Sequence, residues 1–276
     1  MNAIDSITAV FGRTEAGLLA ALVEDLAWLA LPHPAGLRIL GGWRLARAME
    51  AWTAADFFGA EGLVPDEDGF RAHVEEAADH RRQLRTLGRR STRAVVATPW
   101  GAAQGNERYA DGIVFHSTAG HGGFHLAPEQ NLAVHAMLRN PTGWYEEDAE
   151  WAKVAFTYPA LFTTKELRQA HATIRNDQPD AWEAILGIVL LPGESRVKDE
   201  RRFRRDHADR WVVISARRST DRPGMVECLA SRAGTRHDGE RRGFLVASGE
   251  YDPGRFGFVI DEARHERLDR IAAAGA

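Results

Sequence analysis

Asp111-Gly112-Ile113-Val114-Phe115-His116-Ser117-Thr118-Ala119-Gly120-His121-Gly122-Gly123-Phe124-His125-Leu126 decides how this chain folds. Its two arms, 109–116 and 123–126, carry the β-branched and aromatic residues that suit strands. Between them Ala119-Gly120-His121-Gly122 reads as a tight turn, because glycine accepts the positive φ that hairpin turns require. The expectation is an antiparallel hairpin with three histidines on or beside its turn.

Working outward, Ala94–Ala97 predicts a short strand, and Thr98-Pro99-Trp100-Gly101 a rigid turn anchored by its ring. Downstream, Pro128 opens a helix over 129–138, and Gly143 separates it from a longer helix over 144–156. Helices over 165–176 and 180–186 follow; Thr163 with Glu166, and Asp180 with Glu183, have capping-box spacing. A charge-dense helix covers 194–207. Strands over 211–216, 224–230 and 242–247, separated by turn signals that include His237-Asp238-Gly239, predict an antiparallel meander. A short strand over 256–260, a helix over 261–271 and a frayed tail close the chain.

On the N-terminal side, Leu18, Leu19, Leu22, Leu26 and Leu29 recur at helical spacing behind Thr14, which predicts a helix over 14–30 ended by Pro32 and Pro34. A second helical region is expected over 37–58. A third helix starts at Asp66-Glu67-Asp68, where negative charge suits the helix dipole, and buries Phe70, Val74 and Ala77. The predicted fold class is therefore α+β: a mostly helical region over 1–93, an antiparallel sheet domain with inserted helices over 94–265, and a tail over 266–276. The boundary falls at Gly88–Arg93.

Bulk properties narrow the function. The chain has 276 residues, 44% of them hydrophobic, and a net charge of -4, which points to no nucleic-acid or membrane partner for the chain as a whole. Cys228 is the only cysteine, which excludes an internal disulfide and a multi-cysteine zinc site. Neither a signal peptide nor a membrane-spanning stretch is read, and a cytoplasmic location is expected.

Four groups of residues are candidates for chemistry. His116, His121 and His125 are one, because neutral imidazoles bind late metals. His116 and His125 meet on one sheet face only if the hairpin register allows it, and the spacing matches no zinc signature. Glu146, Glu147, Asp148 and Glu150 are the second. They serve as the acidic first turn of a helix or, with a histidine, as general base or oxygen ligand. Trp100, Trp144, Thr118, Gly122 and Gly123 are candidate binding positions around them. Ser117 lacks the G-x-S-x-G context of a hydrolase nucleophile, and the glycine turn lacks a phosphate-loop pattern. The cationic runs Arg81–Arg93 and Arg196–Arg205 are read mainly as solvated helix faces, with nucleic-acid contact as the alternative.

Taken together, Thr98-Pro99-Trp100-Gly101, Ser117-Thr118 with His121-Gly122-Gly123, and Trp144-Tyr145-Glu146-Glu147-Asp148 with Trp151-Ala152 resemble a domain-of-unknown-function family of bacterial proteins frequent on plasmids and mobile elements. The resemblance extends over 94–264, including Arg255-Phe256-Gly257-Phe258-Val259-Ile260-Asp261-Glu262. It marks His121, Gly122, Gly123, Glu146, Glu147 and Asp148 as signature positions and implies no mechanism. Two functions follow as expectations. One is an accessory protein of a mobile element that binds a protein or nucleic acid without a cofactor. The other is a small hydrolase with His121 as acid or base and Glu147 or Glu146 as partner, with or without a divalent metal. The hydrolase requires His121 and a carboxylate within hydrogen-bond reach.

Overall fold

A computed structural model describes residues 7–236 and 239–268, and the chain divides into two compact units, Met1–Ile174 and Arg175–Ala276. The first unit begins with five strands, β1 (Val10–Arg13), β2 (Leu19–Val23), β3 (Leu26–His33), β4 (Gly36–Trp43) and β5 (Gly59–Val64), paired antiparallel in chain order. Helix α1 (Glu67–Leu87) follows, with Asp66 accepting the Gly69 N–H at its start and Gly88 at φ 64° ending it.

The two N-terminal helices expected over 14–30 and 37–58 are thus corrected to strands, with only short 3-10 turns in the second span. The physical reason is two-sided burial. Ala21, Val23, Trp28, Ala30 and Ile39 pack against Phe70, Val74 and Ala77 of α1. Ala20, Ala27 and Leu29 pack on the opposite face against Trp52 and Phe57. A strand buried on both faces loses the alternation that marks it, so its leucines also fit a helical period. Glu24, at φ 54°, makes the turn between β2 and β3, and Pro32 pairs with Leu37 inside a hairpin rather than ending a helix. Because Phe70 is fully enclosed by this sheet, Phe70→Ala is expected to destabilise the first unit by about 3–5 kcal/mol in urea denaturation.

The second sheet of this unit is built from β6 (Arg90–Thr92), β9 (Gly105–Ala110), β10 (Ile113–Ser117), β11 (Gly122–Leu126) and β12 (Trp144–Glu146), in the order β12-β11-β10-β9-β6. A small hairpin, β7 (Ala97–Thr98) and β8 (Gly101–Ala102), carries the Pro99-Trp100 turn, and α2 (Pro128–Ala133) lies between β11 and β12. Helices α3 (Trp151–Thr157) and α4 (Thr164–Asp177) follow. The expected helix over 144–156 is therefore corrected: Trp144, Tyr145 and Glu146 pair with β11, and the helix starts only at Trp151. Tyr145 is completely buried, and its hydroxyl donates to Asn131 at 2.6 Å, a partner reached from a strand.

The second unit contains α5 (Pro179–Leu186), α6 (Arg196–Asp206) and the meander β13 (Trp211–Arg218), β14 (Met225–Arg232), β15 (Arg241–Ala247), β16 (Glu266–Leu268). Its core gathers Trp211, Val213, Cys228, Phe244 and Val246. The meander agrees with the sequence, and α5 and α6 agree within two residues. The C-terminal helix does not: 261–265 form turns, Glu266–Leu268 pairs with β15, and 269–276 lie outside the described residues, as do His237 and Asp238 of the expected turn. Helices and antiparallel sheets together make the fold α+β. Among the described residues no helix is long and apolar enough to cross a membrane.

Candidate active site

The β10–β11 hairpin forms, but its glycines act differently from the expectation: none of Gly120, Gly122 and Gly123 takes a positive φ. His116 faces Gly123 and Ser117 faces Gly122 across the ladder. Thr118 closes the turn: its N–H and hydroxyl both donate to the His121 carbonyl, at 2.8 and 2.7 Å, and its Oγ1 accepts the His121 N–H at 3.2 Å. Thr118 thereby fixes the backbone that presents the His121 ring. The two glycines after it are required by close approach. A Cβ on Gly122 would lie 2.6 Å from Glu147 Oε2, and one on Gly123 would lie 2.3 Å from both Trp100 and the Tyr145 carbonyl.

Strand β12 brings in the carboxylates. Glu146 is paired with Gly123, and the Glu147 N–H donates to the Gly122 carbonyl at 2.9 Å. This seats both side chains against the turn. His121 Nδ1 lies 3.5 Å from Glu146 Oε1, and one ligand atom from each of His121, Glu146 and Glu147 falls within 4.8 Å of the other two. Glu146 Oε1 is buried yet receives no hydrogen bond among the described residues, whereas Glu146 Oε2 accepts the Asp148 N–H at 2.9 Å. An orphaned buried carboxylate oxygen is costly unless a cation or a proton occupies its lone pairs.

The other expected residues take different places. Asp148 is exposed and contributes its backbone N–H. Glu150 reaches back into the protein, where Lys153 (2.7 Å) and Asn140 (2.7 Å) bind it. Burial pushes its pKa up, but these partners outweigh burial and hold it below the usual carboxylate value. The register does put His116 and His125 on one face, flanking Trp144 at 5.4 and 4.4 Å between ring centres. Neither belongs to the His121 cluster. His116 is buried with Nδ1 2.6 Å from Asn106 Oδ1, and burial followed by the neighbouring His125 lowers its pKa; burial alone lowers that of His125. Both imidazoles are neutral supports of a wall completed by Trp100 edge-on to Trp144 at 5.7 Å.

One element of the site was not legible as such. Glu147 also lines a cavity of about 270 Å³ walled by Tyr109, Phe115, Phe124, Trp151 and Phe162. At its edge Glu166 binds Arg89 through two hydrogen bonds of 2.9 and 2.7 Å, and the Arg89 guanidinium stacks over Tyr109 at 4.0 Å. The capping-box spacing of Thr163 and Glu166 is fulfilled as well, by bonds of 2.7 and 3.2 Å. In sequence, however, nothing connects Glu166 to Arg89, 77 residues away.

The basic runs are largely matched internally. Arg81 pairs with Glu24 and Asp25, Arg85 with Glu24, and Arg82 with Asp79. In the second run Lys198 pairs with Glu183, Arg201 with Asp180, and Arg204 with Glu200.

Fold and site together define an α+β protein with a histidine and two glutamates gathered at a hairpin turn beside an aromatic cavity. Residues 93–208 match the family model of a domain of unknown function, DUF7007. The resemblance carried by the motifs is thus to a domain-of-unknown-function family, and the match contains the whole cluster; the motif Arg255–Glu262 lies beyond it. No curated protein and no solved structure matches the chain.

Proposed function

We propose that the protein is a divalent-metal-dependent hydrolase, with the ion held by His121, Glu146 and Glu147 and the substrate's apolar part in the aromatic cavity. The observation that carries this is the orphaned Glu146 Oε1 at 3.5 Å from His121 Nδ1. That separation is long for a hydrogen bond between them. Two ligand atoms each about 2.1 Å from a tetrahedral ion stand about 3.4 Å apart, so the pair has the spacing of neighbours on a metal. One imidazole and two carboxylates leave coordination positions open, as hydrolytic sites need, and a bound divalent ion supplies activation of water and polarisation of the bond to be cleaved. The chain's own residues do the rest: Thr118 orients His121, Gly122 and Gly123 admit the carboxylates, and Phe115, Phe124 and Trp151 take the apolar group next to Glu147.

The accessory-protein reading, with its mobile-element setting, rested on the family resemblance and on the absence of a complete catalytic signature; its nucleic-acid version drew on the basic runs, and the internal pairing of those arginines weakens that version. A cytoplasmic metallohydrolase fits the single buried cysteine. The test is hydrolysis of aryl esters and aryl amides by metal-stripped protein to which manganese or zinc is returned. Activity that returns with metal, falls at least 100-fold in His121→Ala and loses preference for aryl over methyl substrates in Trp151→Ala is expected. Activity equal in wild type and His121→Ala would refute the assignment.

A further inference from the structure

The second unit holds a cleft that the hydrolytic site does not use, with a volume of about 450 Å³, within the range of small-ligand sites. Its lining is cationic in a protein whose net charge is -4. Arg196, Arg204, Arg236 and Arg255 border it, and Glu200 is the one carboxylate among its lining residues. The sequence explains the geometry. Arg196, Glu200 and Arg204 recur every four residues on α6 and so share one helix face. Glu200 is divided between the two arginines, at 2.7 Å from Arg204 and 3.7 Å from Arg196. Arg255 has a 3.7 Å contact with Asp199 and lies over the Phe256 ring at 5.4 Å, and the Arg236 side chain has no partner among the described residues. Four guanidiniums thus border the cleft against one lining carboxylate, with Asp199 beside Arg255, so the lining keeps a net positive charge.

The opposite wall is shaped for a ligand. Gly257, at φ 117°, brings the 252–257 loop close to β13: a Cβ there would lie 2.8 Å from Val212 and 3.1 Å from the Val213 carbonyl. β13 bulges at Ile214, between Val213 and Ser215, where the strand lines the cleft. Half-buried Tyr251 and Phe256 add aromatic surface beside the arginines.

We propose that this cleft binds a small phosphate monoester bearing a flat ring, of mononucleotide size. Guanidinium forks match phosphate oxygens two at a time, and a monoester brings close to two negative charges at neutral pH. The cleft is an open-mouthed concavity of one ligand's volume, and that size favours a small molecule over a nucleic-acid strand. This proposal does not depend on the metal site.

Isothermal titration of the full chain with AMP, adenosine, inorganic phosphate and a single-stranded oligonucleotide tests it. AMP is expected to bind saturably at one site per chain, at least tenfold tighter than inorganic phosphate, with adenosine showing no binding. Arg236→Gln and Arg255→Gln, both at exposed positions, should each weaken AMP about tenfold with unchanged circular dichroism, the loss of one charge-assisted hydrogen bond. No saturable AMP binding, equal binding of AMP and adenosine, binding unchanged in both variants, or binding of the oligonucleotide alone would overturn it.

Discussion

Arg89→Met is expected to destabilise the first unit by about 3–5 kcal/mol at neutral pH, the cost of leaving a buried charge without its partner. Arg89 is 8% exposed and Glu166 19% exposed, so solvent screens the pair little. Besides its two bonds to Glu166, Arg89 donates to the Leu161 carbonyl at 2.9 Å and lies over the rings of Tyr109 and Phe162. Methionine keeps most of the packing and removes the charge, so the loss reports the ion pair. The pH dependence has a definite sign. Burial pushes the Glu166 pKa up, but Arg89 and the Thr163 N–H outweigh it and hold the folded value below the ordinary one. Its contribution is therefore complete above the unfolded carboxylate pKa and is lost as pH falls through the folded value. In Arg89→Met the burial penalty stands unopposed by the arginine and is relieved by protonation. The stability gap between wild type and variant should then narrow between neutral pH and about pH 4 in paired urea titrations. A gap of constant size would show that Arg89 acts through packing alone.

Glu146→Gln is the second large effect. An amide keeps the size and the Asp148 contact but removes the charge and one strong oxygen ligand. Divalent-ion affinity is expected to fall by more than about 100-fold, beyond the 10–100-fold typical of losing an outer-shell partner. Without metal the same substitution should leave stability unchanged or raise it, because the amide no longer holds an unpaired buried negative oxygen beside Glu147. A large loss of metal affinity with no loss of metal-free stability separates a ligand from a merely structural carboxylate.

The hairpin that presents His121 was legible from two strand-like arms around a short glycine-rich segment, although Gly122 and Gly123 serve close approach inside the ladder and not a positive φ in the turn. The joining of His121 with Glu146 and Glu147 was legible as a combination of residue types, though through the wrong local structure. Acidic residues after Trp144-Tyr145 suggest a helix start, yet here they follow an edge strand whose partner, β11, lies twenty residues earlier in the chain. The N-terminal sheet was hidden because both of its faces are buried, which erases the period of two and leaves leucines spaced like a helix. Glu166 shows a third kind of limit. Its capping role is local and readable, and its grip on Arg89 is long-range and carries no pattern.

The proposed chemistry requires His121, Glu146 and Glu147 to hold an ion. Metal analysis after dialysis of the purified chain against micromolar manganese or zinc tests this most directly, with Glu146→Gln carried alongside. One equivalent per wild-type chain and a trace in the variant is the predicted result; trace metal in both, or one equivalent in both, would contradict it.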